Sequence, residues 1–234
     1  MPTGNNISIL YKKNNKKEVP ELTNQEILAH IDHTCLKPDA KWENILTLCQ
    51  EALRYETASV CIPPCYVKRV KTKYPELNVC TVIGFPTGYE TTSIKYYETA
   101  KAVSDGADEI DMVINIGYLK NKEDDAVLNQ ITRVRHACEG KILKVIIETC
   151  CLTEDEKIRA CALVTRGGAD YIKTSTGFGE SGANLEDIAL MRKYIGENVK
   201  IKAAGGIRTR EQMEAFLEAG CDRIGCSATS VLFE

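Results

Sequence analysis

The sequence predicts an α/β fold, a single (β/α)8 barrel, and three observations carry that prediction. Short apolar, strand-like runs recur eight times along the chain. Amphipathic helical stretches lie between them. Three near-repeats, "AVSDGAD", "VTRGGAD" and "LEAGCD", each combine a helix end, a glycine cap and the start of the next strand. The repeat is roughly 25 residues, the period of a barrel built from eight βα units. The chain's 234 residues, 44% of them apolar, suit a fold that needs about 250. A doubly wound open sheet is the alternative, but it more often has five or six strands.

Taken in order, residues 1–20 are polar and include the basic cluster "YKKNNKK". We read them as a solvated N-terminal extension and place the barrel domain over 21–234. Thr23 and Glu26 form a capping box, so a short helix is expected to follow. The strand-like runs are "AHIDHT" (29–34), "TASVCI" (57–62), "NVCTVIGF" (78–85), "ADEIDMVIN" (107–115), "ILKVIIET" (142–149), "ADYIKT" (169–174), "VKIKAA" (199–204) and "CDRIGCS" (221–227). In "WENILTLCQEALRY", Ile45, Leu48, Cys49 and Ala52 share one helical face. Two further capping boxes, Thr153 with Glu156 and Thr209 with Gln212, start later helices, and Gly220 closes the last.

Composition excludes several classes. The net charge is -3, with 30 basic and 33 acidic residues well mixed, so neither a nucleic-acid groove nor a polybasic membrane face is expected. No run of about 18 apolar residues predicts a membrane span, and no apolar signal-peptide core is visible. The eleven cysteines are odd in number, and Cys49, Cys61, Cys80, Cys138 and Cys161 sit in apolar patterns. Reduced, mostly buried thiols in a cytoplasmic protein fit that usage. "CIPPC" and "CC" (Cys150, Cys151) are weaker redox or metal signals. His30, His33 and His136 have poor ligand spacing, so no metal is expected. "GFGESG" (177–182) matches a dinucleotide-binding pattern and raises an NAD(P)-dependent oxidoreductase as an alternative. It lies in the sixth unit, however, and the next strand ends in Lys202 rather than an acid. No cofactor is expected.

The chemistry lies at the strand ends, because active sites of such barrels form at the C-terminal ends of the strands. Side chains alternate along a strand. With Ile110, Met112 and Ile114 facing the helices, Glu109 and Asp111 point inward. The same parity turns Cys61, Lys173 and Lys202 inward and puts Asp32 and Thr34 on one face. So dense a polar cluster inside a core is costly unless paired. Two lysines with a carboxylate suggest amine chemistry on a carbonyl. At pH 7 about one free lysine in 2,500 is neutral, a handicap of roughly 4.6 kcal/mol for attack. A neighbouring ammonium, plus desolvation, favours the neutral amine. One lysine then acts as nucleophile, the other tunes it, and Asp111 holds or relays the proton. The residue types leave open which lysine is which. "AAGGIR" and "RIGCSATS" follow strands seven and eight, where barrels commonly bind phosphate. Backbone N–H groups of Gly205, Gly206 and Ser227 would cradle the oxygens, with Arg208 as charge.

The motifs "IDHTCLKPDA", "SVCIPPCYV", "VIGFPTG", "GADEIDMVINIG", "YIKTSTGFG", "KIKAAGGIRT" and "DRIGCSAT" run in order over residues 21 to 234. Together they resemble the 2-deoxyribose-5-phosphate aldolases, class I enzymes on a TIM barrel. The resemblance implies Lys173 as the Schiff-base lysine, Lys202 as the second lysine and Asp111 as the proton relay. It implies 2-deoxy-D-ribose 5-phosphate as substrate, with D-glyceraldehyde 3-phosphate and acetaldehyde as products, and a place in deoxyribonucleotide catabolism. The expected substrate contacts are Asp32, Thr34, Cys61, Thr174, Gly177, Gly205, Gly206, Arg208, Gly225 and Ser227. A homodimer or homotetramer is expected. A barrel that binds sugar phosphate without turnover is the non-enzymatic alternative.

Overall fold

A computed structural model describes residues 22–233; the extension expected over residues 1–20 lies outside them. The strands are β1 (Ile31–Thr34), β2 (Ser59–Ile62), β3 (Val79–Ile83), β4 (Glu109–Val113), β5 (Ile142–Ile146), β6 (Tyr171–Lys173), β7 (Lys200–Ala204) and β8 (Arg223–Cys226). They pair in sequence order, all parallel, and β1 closes on β8 with Asp32 opposite Gly225. The eight-stranded barrel read from the repeats is therefore the fold. Each strand falls inside its expected run but is shorter. In the third run the strand stops at Ile83, because Gly84 turns the chain with φ 60°.

The helices form the outer ring. They are α1 (Asn24–Leu28), α2 (Trp42–Tyr55), α3 (Val67–Lys73), α4 (Thr92–Ser104), α5 (Ile116–Lys120), α6 (Asp124–Ala137), α7 (Glu154–Arg166), α8 (Leu185–Tyr194) and α9 (Arg210–Glu218). Thr23, Thr153 and Thr209 each close the expected capping box, meeting N–H groups that a helix start leaves unpaired. On α2, Ile45, Leu48, Cys49 and Ala52 are the buried face. They join Val60, Ile62, Ile110, Met112, Ile172 and Ile201 in the layer between barrel and helices. The helix-facing half of each strand thus makes the apolar core and leaves the inward half for chemistry. No described helix is long and apolar enough to cross a membrane. All eleven cysteines are free thiols, with Cys65 and Cys151 exposed.

Candidate active site

Inside the barrel, strand parity brings together Asp32, Glu109, Asp111, Lys144, Lys173, Lys202 and Arg223. Asp111 stands at the centre. Its Oδ2 accepts from Lys173 Nζ at 2.8 Å and Lys202 Nζ at 2.6 Å. Its Oδ1 accepts from Lys144 Nζ at 2.8 Å and Cys80 Sγ at 3.2 Å. Lys202 also pairs with Asp32. Lys144 reaches Glu109 Oε2 at 2.5 Å and Asp32 Oδ2 at 3.4 Å. Arg223 spans Asp32 Oδ1 at 2.5 Å and Glu109 Oε2 at 3.3 Å, and Ser59 Oγ donates to Asp32 Oδ1 at 2.7 Å.

The electrostatics follow from this packing. Burial alone would raise Asp111, but Lys144, Lys173 and Lys202 outweigh it and hold the carboxyl well below its ordinary 3.8. Asp32 is lowered in the same way by Lys144, Lys202 and Arg223. Burial pulls Lys202 down, yet Asp111 and Asp32 prevail and keep it above 10.5 as an ammonium. Lys144 is raised likewise. Lys144, Lys202 and Arg223 each meet two or three of the three carboxylates, whereas Lys173 pairs with Asp111 alone. The carboxylates and thiols approach closely enough to hold a metal ion. Lys144 and Lys202, however, already supply positive charge among those ligand atoms.

The cluster opens on a cleft of about 620 Å³ lined by Lys173, Thr34, Gly177, Gly205, Gly206, Arg208, Gly225 and Ser227, together with Thr176 and Phe178. Lys173 is 3% exposed, whereas Lys144 and Lys202 are fully covered. Of the expected substrate contacts, Asp32 and Cys61 lie beneath the cleft surface. Thr174 turns away, its hydroxyl donating to Ala204 O at 3.1 Å. Cys61 packs with Cys80 and Val82, and against Leu36 and Phe85, as an apolar wall. The glycines of "GFGESG" serve loop packing: a side chain at Gly182 would overlap the Gly205 carbonyl. At the outer edge His33 Nε2 meets Glu51 at 2.8 Å and its Nδ1 meets Thr229 Oγ1 at 2.9 Å. Burial pushes His33 below its ordinary 6.5 against the raising effect of Glu51.

Sequence reasoning missed Lys144, Cys80, Ser59 and Arg223. The signal was present. In "ILKVI" the apolar Leu143 and Val145 flank Lys144 as Ile110 and Met112 flank Asp111, and Ile224 turns Arg223 inward by the same alternation.

The description "DeoC/LacD family aldolase" matches residues 27–225. The chain is similar to the deoxyribose-phosphate aldolase of Clostridium botulinum (strain Eklund 17B / Type B), at 56% identity over 207 residues, 88% of this chain and 94% of that one. It is 52% identical to the deoxyribose-phosphate aldolase of Clostridioides difficile (strain 630), over 87% of this chain and 94% of that one. Among solved structures, the aldolase QR15 superposes with a TM-score of 0.85 at 36% identity, covering 87% of this chain and 92% of the other. The tetrameric deoxyribose phosphate aldolase from Aeropyrum pernix superposes at 0.84 with 27% identity, covering 90% and 91%. With the barrel, the inward lysines and these likenesses in agreement, the chain belongs to the DeoC/LacD family of aldolases.

Proposed function

We propose that this chain is a class I aldolase that reversibly cleaves 2-deoxy-D-ribose 5-phosphate to D-glyceraldehyde 3-phosphate and acetaldehyde, with Lys173 forming the imine. One observation carries the choice of lysine. Of the inward lysines among the described residues, only Lys173 lines the cleft, while Lys144 and Lys202 are sealed within the charge network. In this reading the Lys173 amine adds to the C1 carbonyl. Asp111 and Lys202, sharing a proton through Oδ2 of Asp111, supply the proton that lets water leave the carbinolamine. Loss of the C3 hydroxyl proton then breaks the C2–C3 bond, and the bonding electrons pass into the iminium to give an enamine. Protonation at C2 and hydrolysis release acetaldehyde and the free lysine. Backbone groups of Gly205, Gly206, Gly225 and Ser227, with Arg208 nearby, hold the phosphate.

Borohydride reduction in the presence of acetaldehyde tests the assignment. One ethyl group is expected on Lys173, located by peptide mass spectrometry, and Lys173→Ala is expected to lose both adduct and cleavage. An adduct on Lys202 in that variant overturns the choice of lysine, and phosphate binding with no adduct at all supports a non-catalytic barrel. The same reading makes this a cytoplasmic protein with one barrel domain over 21–234. It also makes it a homodimer or homotetramer, a reading supported by the tetrameric assembly named for the deoxyribose phosphate aldolase from Aeropyrum pernix. A monomeric mass by light scattering speaks against that assembly.

A further inference from the structure

Glu148 stands just beyond β5 with φ 52° and ψ 69°, a left-handed conformation uncommon outside glycine and held only where the surroundings impose it. The residue is 4% exposed. Its carboxylate meets the loop that leaves β6, and Cys150 Sγ also donates to Oε1 at 3.9 Å. The Thr176 N–H lies 3.2 and 3.3 Å from its two oxygens, and the Thr176 hydroxyl donates to Oε2 at 2.5 Å. The same hydroxyl accepts from the Phe178 N–H at 3.0 Å. The loop lies so close that a side-chain carbon added at Gly179 would come within 2.7 Å of Cys150 Sγ and 3.3 Å of Glu148 Oε1. Beside these contacts the backbones of the two strand exits are joined, with Thr149 N–H donating to Thr174 O at 2.9 Å.

The contacts form a chain from a buried acceptor to the cleft. Glu148 holds Thr176, Thr176 holds Phe178, and between them lies Gly177 at φ 85°, its backbone against Gly205. A carboxylate only accepts hydrogen bonds, so it selects the loop conformation in which two Thr176 donors point at it. Glu148 does not itself line the cleft. We infer that Glu148 is a positioning residue, which sets the Thr176–Phe178 segment so that Gly177 faces the phosphate end of the substrate, and that it acts on substrate binding rather than on imine formation. The inference rests on the aldolase reading given above.

The test compares deoxyribose 5-phosphate with deoxyribose in wild type and in Glu148→Gln, which keeps the side chain's size but turns an acceptor oxygen into a donor facing Thr176. KM for the phosphorylated sugar is expected to rise about tenfold with kcat nearly unchanged, because a hydrogen bond to a charged group is lost. KM for deoxyribose and the yield of borohydride-trapped acetaldehyde adduct are expected to hold. Thr176→Val approaches the same contact from the loop side and is expected to raise KM for the phosphorylated sugar likewise, while Thr176→Ser restores wild-type KM. It also serves where Glu148→Gln folds poorly. Adding Thr176→Val to Glu148→Gln is expected to cost little more, since both cut one link. Equal losses on both substrates, or a lost adduct with KM unchanged, in a chain whose wild type cleaves the sugar phosphate, overturn the role of Glu148 and leave the aldolase reading standing. A wild type that neither cleaves nor traps overturns that reading instead.

Discussion

A single oxygen, Oδ2 of Asp111, faces the amines of both Lys173 and Lys202, and the opposite oxygen faces Lys144. Lys144 therefore holds Asp111 without meeting the cleft, by occupying the oxygen turned away from Lys173 and Lys202. Replacing it by methionine leaves Glu109 and Asp111 short of a buried partner. Such uncompensated burial costs about 3–5 kcal/mol, so Lys144→Met is expected to lose that much stability in urea unfolding. Glu109→Gln added to it is expected to recover part of the loss, and a Lys144→Met chain as stable as wild type refutes the charge balance described here. At this scale much was legible: Asp111, Lys173 and Lys202 stand out in short strands with clear apolar partners. The balance of charge was not, because it depends on Lys144 from β5 and Arg223 from β8. Lys144 meets Asp111 only through the pairing of β4 with β5, and Arg223 meets Asp32 only once β8 closes on β1.

At the scale of elements, helix starts were the most readable, since a capping box is local chemistry that tertiary packing rarely overrides. Loop anchors were the least. Lys95 on α4 is fully buried and donates to Gly88 O at 2.6 Å, Val113 O at 2.7 Å and Gln130 Oε1 at 3.2 Å. It thereby ties the loop after β3 to the exit of β4 and to α6. In the sequence it is one lysine on a mixed helix, and nothing nearby marks it as buried. The loops proposed to hold phosphate are intermediate: their glycines were visible, their mutual packing was not. Gly206 has φ 77° and open space where a side chain would go, so aspartate there adds charge and some backbone strain without displacing a neighbour. Gly206→Asp is expected to raise KM for deoxyribose 5-phosphate by about tenfold or more, through repulsion and lost backbone approach, with little change for deoxyribose. Equal change on both sugars would mean that the loop serves the fold alone.

For the whole molecule the buried charges set the response to pH. Asp32 and Asp111 are held below 3.8, so as pH falls below that value the unfolded chain takes up protons before the native one. Their stabilisation is complete above 3.8 and is lost on further acidification. Lys202 is held above 10.5, so its contribution is complete below 10.5 and fades only as pH rises beyond it. His33 is a base pushed below 6.5 by burial, so stability also drops as pH falls under 6.5, where the unfolded chain binds the proton first. Urea unfolding is expected to show stability falling as pH drops below about 7, with a clear decline by about pH 5.5. That decline is expected to shrink in His33→Asn, and an unchanged decline in this variant assigns the effect to another group.

The two ends of the described chain also meet. Asn24 Nδ2 donates to the carbonyl of Leu232 at 3.2 Å, and Arg210 reaches Asn24 Oδ1 at 2.7 Å. A ring of eight units that begins and ends at one spot has no privileged starting unit. A short linker from Phe233 to Leu22 would seal the seam, and the chain could then be opened at the exposed turn around Lys122 without parting any two neighbouring strands. Circular permutants of that kind would keep every inward lysine in place while changing which strand the ribosome delivers first. They offer a way to separate the order of synthesis from the order of assembly.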